Sequence, residues 1–166
     1  MRRYLSLLLA MSSSAFAAGA AEPFAINLPR DFTGPMASSF GADRSFAYIR
    51  PTENPNARCL FQVTISAIPE GEKSDGLETR LDRLLRGFAG RRKGFTKASS
   101  VKTTLSGLAA LSVDWSGEAK GQPMKGRLIC AVYQGALVQV VFEDTTGAWE
   151  KTVAELEKAL TTFKLQ

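Results

Sequence analysis

The chain has 166 residues, 45% hydrophobic and 22% charged, with 21 basic against 16 acidic side chains for a formal charge of +5. That is the ordinary range of one compact domain long enough to bury a core without staples, and a charge this mild argues by itself for neither nucleic acid nor membrane binding. No histidine occurs, which excludes Ser-His-Asp and Cys-His nucleophile systems, His-ligated zinc and the usual general base near neutral pH.

In chain order, Arg2 and Arg3 give a positive start, Leu5 to Met11 is a short apolar core, and Ser12 to Ala20 is rich in small residues. This reads as a secretory signal peptide over residues 1–20, with cleavage expected after Ala15-Phe16-Ala17 or Ala18-Gly19-Ala20. The apolar run is far shorter than the roughly 20 residues of a bilayer span, and no Cys follows it as in a lipoprotein. A soluble periplasmic or secreted protein is expected. Removing residues 1–20 takes two basic residues and no acid, leaving 19 against 16, or +3.

Phe24, Ile26 and Leu28 alternate up to Pro29, predicting a short strand that enters a loop at Asp31 to Pro35. Met36 to Gly41 is ambiguous between strand and loop. Ser45 to Arg50 is read as a strand ended by the Pro51-to-Pro55 turn. Arg58 to Ile68 is the clearest early strand, with Cys59, Phe61, Val63, Ile65 and Ala67 on its apolar face. Leu77, Leu81, Leu84, Leu85 and Phe88 recur at the offsets of an amphipathic helix that Ser74 or Asp75 could cap. Phe95 to Val101 then enters the main sheet.

From Thr103 to Asp144, apolar runs are interrupted at Ser106-Gly107, Gly117 to Pro123 and Gln134-Gly135, the pattern of consecutive antiparallel strands. Leu128 to Tyr133 and Leu137 to Phe142 are apolar on both faces, so both sides of the sheet are expected to be covered. Trp149, Val153, Leu156, Leu160 and Phe163 form the stripe of a second helix, with Thr145 or Thr146 as N-cap. The order of strands, helix, strands, helix predicts an α+β fold in residues 21–166: an antiparallel sheet flanked by an amphipathic helix on each side. No repeat or second domain is indicated.

The opening FAINLP with its following Asp-Phe pair, the central TTLSGLAALSVDW, the GQPMKGRLICAVYQGALVQVVF hairpin and the terminal Phe163-Lys164-Leu165 resemble the PsbP-like fold family, which includes DcrB-type bacterial envelope proteins. The resemblance covers nearly all of the chain after residue 20. It implies an antiparallel sheet sandwiched by helices, and a non-enzymatic binding or assembly factor with no fixed set of functional residues. The missing lipoprotein Cys departs from the DcrB-type pattern.

Three features could carry chemistry or binding. The carboxylate pairs Glu70/Glu72 and Glu143/Asp144 could serve a glycosidase, but among turn residues they read as solvated or capping. Cys59 and Cys130 are an even pair in an exported chain and are expected to form a structural disulfide, closing a loop of about 70 residues and adding about 4 kcal/mol; the alternative is two buried thiols. Finally, Arg80, Arg83, Arg86, Arg91, Arg92, Lys93, Lys97 and Lys102 are opposed within their own run only by Asp82. Arg80, Arg83, Arg91, Arg92 and Lys93 are therefore candidates for a basic surface that meets an acidic protein, an anionic headgroup or a polyanionic glycan, with a solvated helix face as the bland alternative. Nucleic acid is not expected without interleaved exposed aromatics. No phosphate loop, dinucleotide fingerprint or calcium-loop spacing occurs, and neither cofactor nor metal is expected.

The favoured reading is a non-catalytic binding or interaction module of the cell envelope. An immunity or inhibitor protein is one variant of it. A small His-independent hydrolase using Ser, Lys or carboxylates is the competing class, and a pocket with a buried Lys beside a Ser would favour it.

Overall fold

A computed structural model describes residues 22–52 and 57–166. The expected signal peptide and its cleavage positions lie outside the described residues, as does part of the expected Pro51-to-Pro55 turn. The strands are β1 (Phe24–Ala25), β2 (Thr33–Phe40), β3 (Asp43–Arg50), β4 (Cys59–Ala67), β5 (Lys93–Lys97), β6 (Val101–Leu105), β7 (Leu108–Ala119), β8 (Gln122–Tyr133), β9 (Ala136–Thr145) and β10 (Lys164–Leu165), with helices α1 (Leu77–Ala89) and α2 (Trp149–Leu160). Eight strands form one sheet in the order β2-β3-β4-β9-β8-β7-β5, and β6 also pairs with β7. All its pairings are antiparallel. β7 is long enough for β6 to pair with its first half and β5 with its second. The remaining pair, β1 with β10, sets Phe24 opposite Leu165.

The side-chain alternation of strands divides the core in two. On one face Phe46, Phe61, Val63, Ile129, Ala131, Val138, Val140 and Phe142 pack with Trp149 and Leu156 of α2. On the other, Leu111, Val113, Leu128, Cys130, Leu137 and Val141 pack with Leu81 and Leu85 of α1. β8 and β9 contribute to both cores, which is why their sequences are apolar at consecutive positions. This is the α+β sheet with one helix on each side that the patterning predicts.

Local corrections concern the first strands and the caps. Alternation at Phe24, Ile26 and Leu28 yields only a two-residue strand, because its pairing partner β10 is equally short. The ambiguous Met36 to Gly41 segment lies in β2 up to Phe40 and turns at Gly41, and β2 begins inside the expected loop. Neither helix has a side-chain N-cap: Gly76 and Ala148 hold those positions. Asp75 instead receives Arg83 Nη2 at 2.9 Å, and Thr145 is the last residue of β9.

The expected disulfide is contradicted: Cys59 and Cys130 are free and buried. Cys59 shares the parity of Phe61 and Val63 on the α2 face, whereas Cys130 belongs to the α1 core. β9 lies between their strands, a lateral separation of about 10 Å. Cys130 stands opposite Gln139 and Gln139 opposite Thr64, so the offset from Cys59 along β4 adds about 17 Å. A bond needs Cα atoms within about 7 Å. An even cysteine count carries no information about which face of a sheet each thiol occupies.

Candidate functional site

The basic run folds onto the sheet edge where α1 leads into β5, and three of its cations, Arg83, Arg92 and Lys97, meet carboxylates there. Arg80 is 4% exposed. Its guanidinium donates to the carbonyls of Asp75, at 3.2 Å, and Glu72, closing the 3-10 turn over Glu70–Glu72 against α1. Arg83 forms ion pairs with Glu72 and Asp75. Its hydrogen bond to Asp75 is the leading influence raising its pKa. Lys97 Nζ lies 2.7 Å from Asp82, and Asp82 is held below the ordinary carboxylate range chiefly by that hydrogen bond.

Arg92 is the most enclosed of these cations after Arg80. Its guanidinium carbon sits 4.2 Å from the Trp115 ring centroid and 4.7 Å from that of Phe88, while Nη2 donates to Glu143. A flat cation lying against two adjoining rings, with a carboxylate at its end, is a geometry that Arg fills and Lys does not. The expected five-residue basic surface is thereby corrected: Arg80 is interior and Arg92 largely so, and Arg83 is ion-paired. Of the five, Arg91 and Lys93 face solvent, joined by the neighbouring Arg86. Arg91 donates to the Gly87 carbonyl at 3.1 Å, and Lys93 stands across the sheet from Glu118. Counting charges within the run hid Glu72, Asp75 and Glu143, which the fold brings to it.

The carboxylates expected to be solvated divide. Glu70 is exposed and pairs with Lys73, whereas Glu143 and Asp144 are 8% and 2% exposed. As consecutive residues of β9 they point to opposite faces, Glu143 to Arg92 and Asp144 to α2. Asp144 accepts from Thr152 Oγ1 and from the Thr145 amide, both at 2.7 Å. Two carboxylates separated by the sheet cannot flank one glycosidic bond.

Beside Asp144 lies a polar cluster that the sequence reading missed. Arg50 pairs with Asp31 at 2.7 Å and with Glu155, and donates to Thr152 Oγ1 at 3.4 Å. It also lies 4.7 Å from the Phe32 ring centroid. Farther along the same face, Arg127 joins Asp114 to Glu157 of α2. The available signal was a cation within or ending an apolar strand, which must find partners as its surroundings are desolvated. Cys59 adjoins the first cluster, and burial, with Asp144 second, pushes its thiol up to about 12. Burial does the same to Cys130, also to about 12. Both are poor nucleophiles in the folded state.

Among the clefts that adjoin these groups are two beside serines. One, of about 460 Å³, lies between α1 and the β5–β6 connection and is lined by Glu78, Asp82, Lys97, Ser99 and Ser100. It brings a Lys near serines, but Lys97 is exposed and bound to Asp82, and Ser100 donates to Glu78. The other, of about 430 Å³, runs between the Ser106-Gly107 turn and the end of α2, with Leu105, Ile129 and Phe163 as its apolar walls.

An antiparallel sheet with one helix on each face, whose inward charges tie helices to strands, defines an α+β scaffold. More particularly, the fold is PsbP-like. It aligns with CyanoP, the cyanobacterial PsbP of Synechocystis, at TM-score 0.53 and 14% identity over 93% of this chain and 99% of that one. LpqN, a protein involved in cell envelope biogenesis of Mycobacterium tuberculosis, aligns at TM-score 0.61 and 14% identity over 86% and 83%. A Pseudomonas aeruginosa protein of unknown function aligns at 0.60 and 14% over 75% and 84%. No protein-family model and no curated protein matches the sequence. Among the described residues, no helix is long and apolar enough to cross a membrane.

Proposed function

We propose that this chain is an exported cell-envelope module that binds a protein or anionic partner and carries out no catalysis. The observation that carries this reading is the engagement of the interior polar groups in holding helices to the sheet, while Arg86, Arg91 and Lys93 remain directed outward where α1 ends. The fold shared with LpqN, itself involved in envelope biogenesis, supports the envelope assignment. The N-terminal charge and apolar pattern supports export.

The test is binding to vesicles containing phosphatidylglycerol, and to acidic proteins of an envelope extract, with the Arg86→Ser/Arg91→Ser/Lys93→Ser variant as comparison. Attraction through these side chains is screened over about 8 Å at physiological salt, so binding falls as salt rises and falls further in the variant. Equal retention of variant and parent across the salt series refutes the basic surface as the contact. Hydrolysis of ester or glycoside substrates by the purified chain refutes the non-catalytic reading independently.

A further inference from the structure

We propose that the free edge of β2 pairs antiparallel with β2 of a second copy of this chain, about a two-fold axis at Ser38, so that Met36 of each copy packs on Phe40 of the other. β2 ends the order of the eight-stranded sheet, and among the described residues β3 is its one strand partner. Its outer backbone groups are therefore available for a further ladder.

Edge strands that stay unpaired are usually protected by charge, proline or bulges. The opposite edge follows that rule, with Lys93 and Lys97 on β5 and Lys102 on β6. β2 has no charged residue. Its protection is confined to its start, where Pro35 lies within the register irregularity between Thr33 and Met36. From Met36 to Phe40 the register with β3 is regular, and this short stretch carries two of the exposed large apolar side chains, Met36 at 43% and Phe40 at 89%.

The two share a face. Ala37 stands opposite Phe46 and packs toward the α2-side core, so Met36, Ser38 and Phe40 point to the other side. There α1 covers only the β7–β9 half, and Ser45, Gln62 and Thr64 continue the open surface.

The choice of a second copy follows from the sequence of the stretch, Met-Ala-Ser-Ser-Phe. Turned antiparallel on itself about Ser38, it sets Met36 opposite Phe40 twice, Ala37 opposite Ser39 twice and Ser38 opposite Ser38. Both large positions meet in thioether–aromatic pairs, which are favourable contacts. The centre, where the copies approach most closely, is small and uncharged. A two-fold interface needs such self-complementarity, and the result is a sheet continuous across both copies. An interface of this size is weak and concentration-dependent.

The test uses the purified protein in sedimentation equilibrium from about 1 µM to about 1 mM. A monomer–dimer equilibrium is expected for the parent chain. Ser38→Lys, which places two like charges together at the axis, should weaken it by at least roughly tenfold without changing the thermal midpoint. Ser38→Cys provides the register test, because opposed Cα atoms in an antiparallel ladder lie about 4.5 to 5.5 Å apart, within disulfide reach. Under mild oxidation it should form a covalent dimer at least roughly tenfold faster than Ser99→Cys in the exposed β5–β6 connection, with the buried native thiols adding little background. A parent chain that is monomeric throughout the range, a dimer unaffected by Ser38→Lys, or equal cross-linking at positions 38 and 99 overturns the proposal.

Discussion

Arg92 shows how one side chain can change meaning between sequence and structure. Resting on both Trp115 and Phe88 and bonded to Glu143, it clamps the end of α1 to the sheet. Arg92→Ala leaves Glu143 buried without its partner and should cost about 3 kcal/mol in urea unfolding. Arg92→Lys keeps the charge and loses the flat stack, so it should fall between; a Lys variant as unstable as Ala would show that the rings, not the ion pair, dominate. Cys59 and Cys130 make a second prediction. Each has its pKa raised by burial from 9.0 to about 12. The folded state thus keeps protons that the unfolded state releases, and the thiols' contribution is complete below pH 9 and declines as pH rises from 9 toward about 12. Thiol titration should find two slow groups in native protein and two fast ones after denaturation. No free thiol in non-reduced denatured protein would restore the disulfide.

At the scale of elements, β7 and β8 meet where Trp115 stands opposite Gly126. A Cβ at residue 126 would lie 2.2 Å from Trp115 Cζ2 and 2.8 Å from the Phe142 carbonyl oxygen. Gly126→Ala should therefore displace the indole that receives Arg92 and cost about 2 kcal/mol as overpacking. Gly121→Ala, in open space but at φ +76°, should cost about 1 kcal/mol from backbone strain alone. The reverse order in chemical denaturation would contradict this account. The strands from β7 to β9 and both helices were legible because their apolar periods were set by what covers them, one face or two. β2 was not legible, since an edge strand exposed at all but Ala37 has no hydrophobic period to read. The charge clamps were hidden for a different reason. Arg92 and Glu143 are 51 residues apart in sequence, and spacing within a run cannot reveal a partner delivered by the far side of the sheet.

For the whole molecule, the proposed export predicts that intact-mass analysis of the native protein finds a start after Ala17 or Ala20; recovery of chains beginning at Met1 from a membrane fraction would refute it. At the same scale lies the pairing of β1 with β10. Phe24 stacks on Phe163 with ring centroids 5.4 Å apart, Phe24 stands opposite Leu165, and the Gln166 amide donates to the Pro23 carbonyl at 2.9 Å. The first strand of the sheet pair thus has no partner until the residues some 140 positions later have been made. Non-local pairings of this kind form slowly, and the half-made chain cannot close the α2-side core that Phe24 and Phe163 seal together. Deleting residues 164–166 should accordingly lower the thermal midpoint and expose Phe24 to solvent. The two ends of the chain thus meet as one clasp, and the seal it places over the α2-side core closes only when the last residues are in hand.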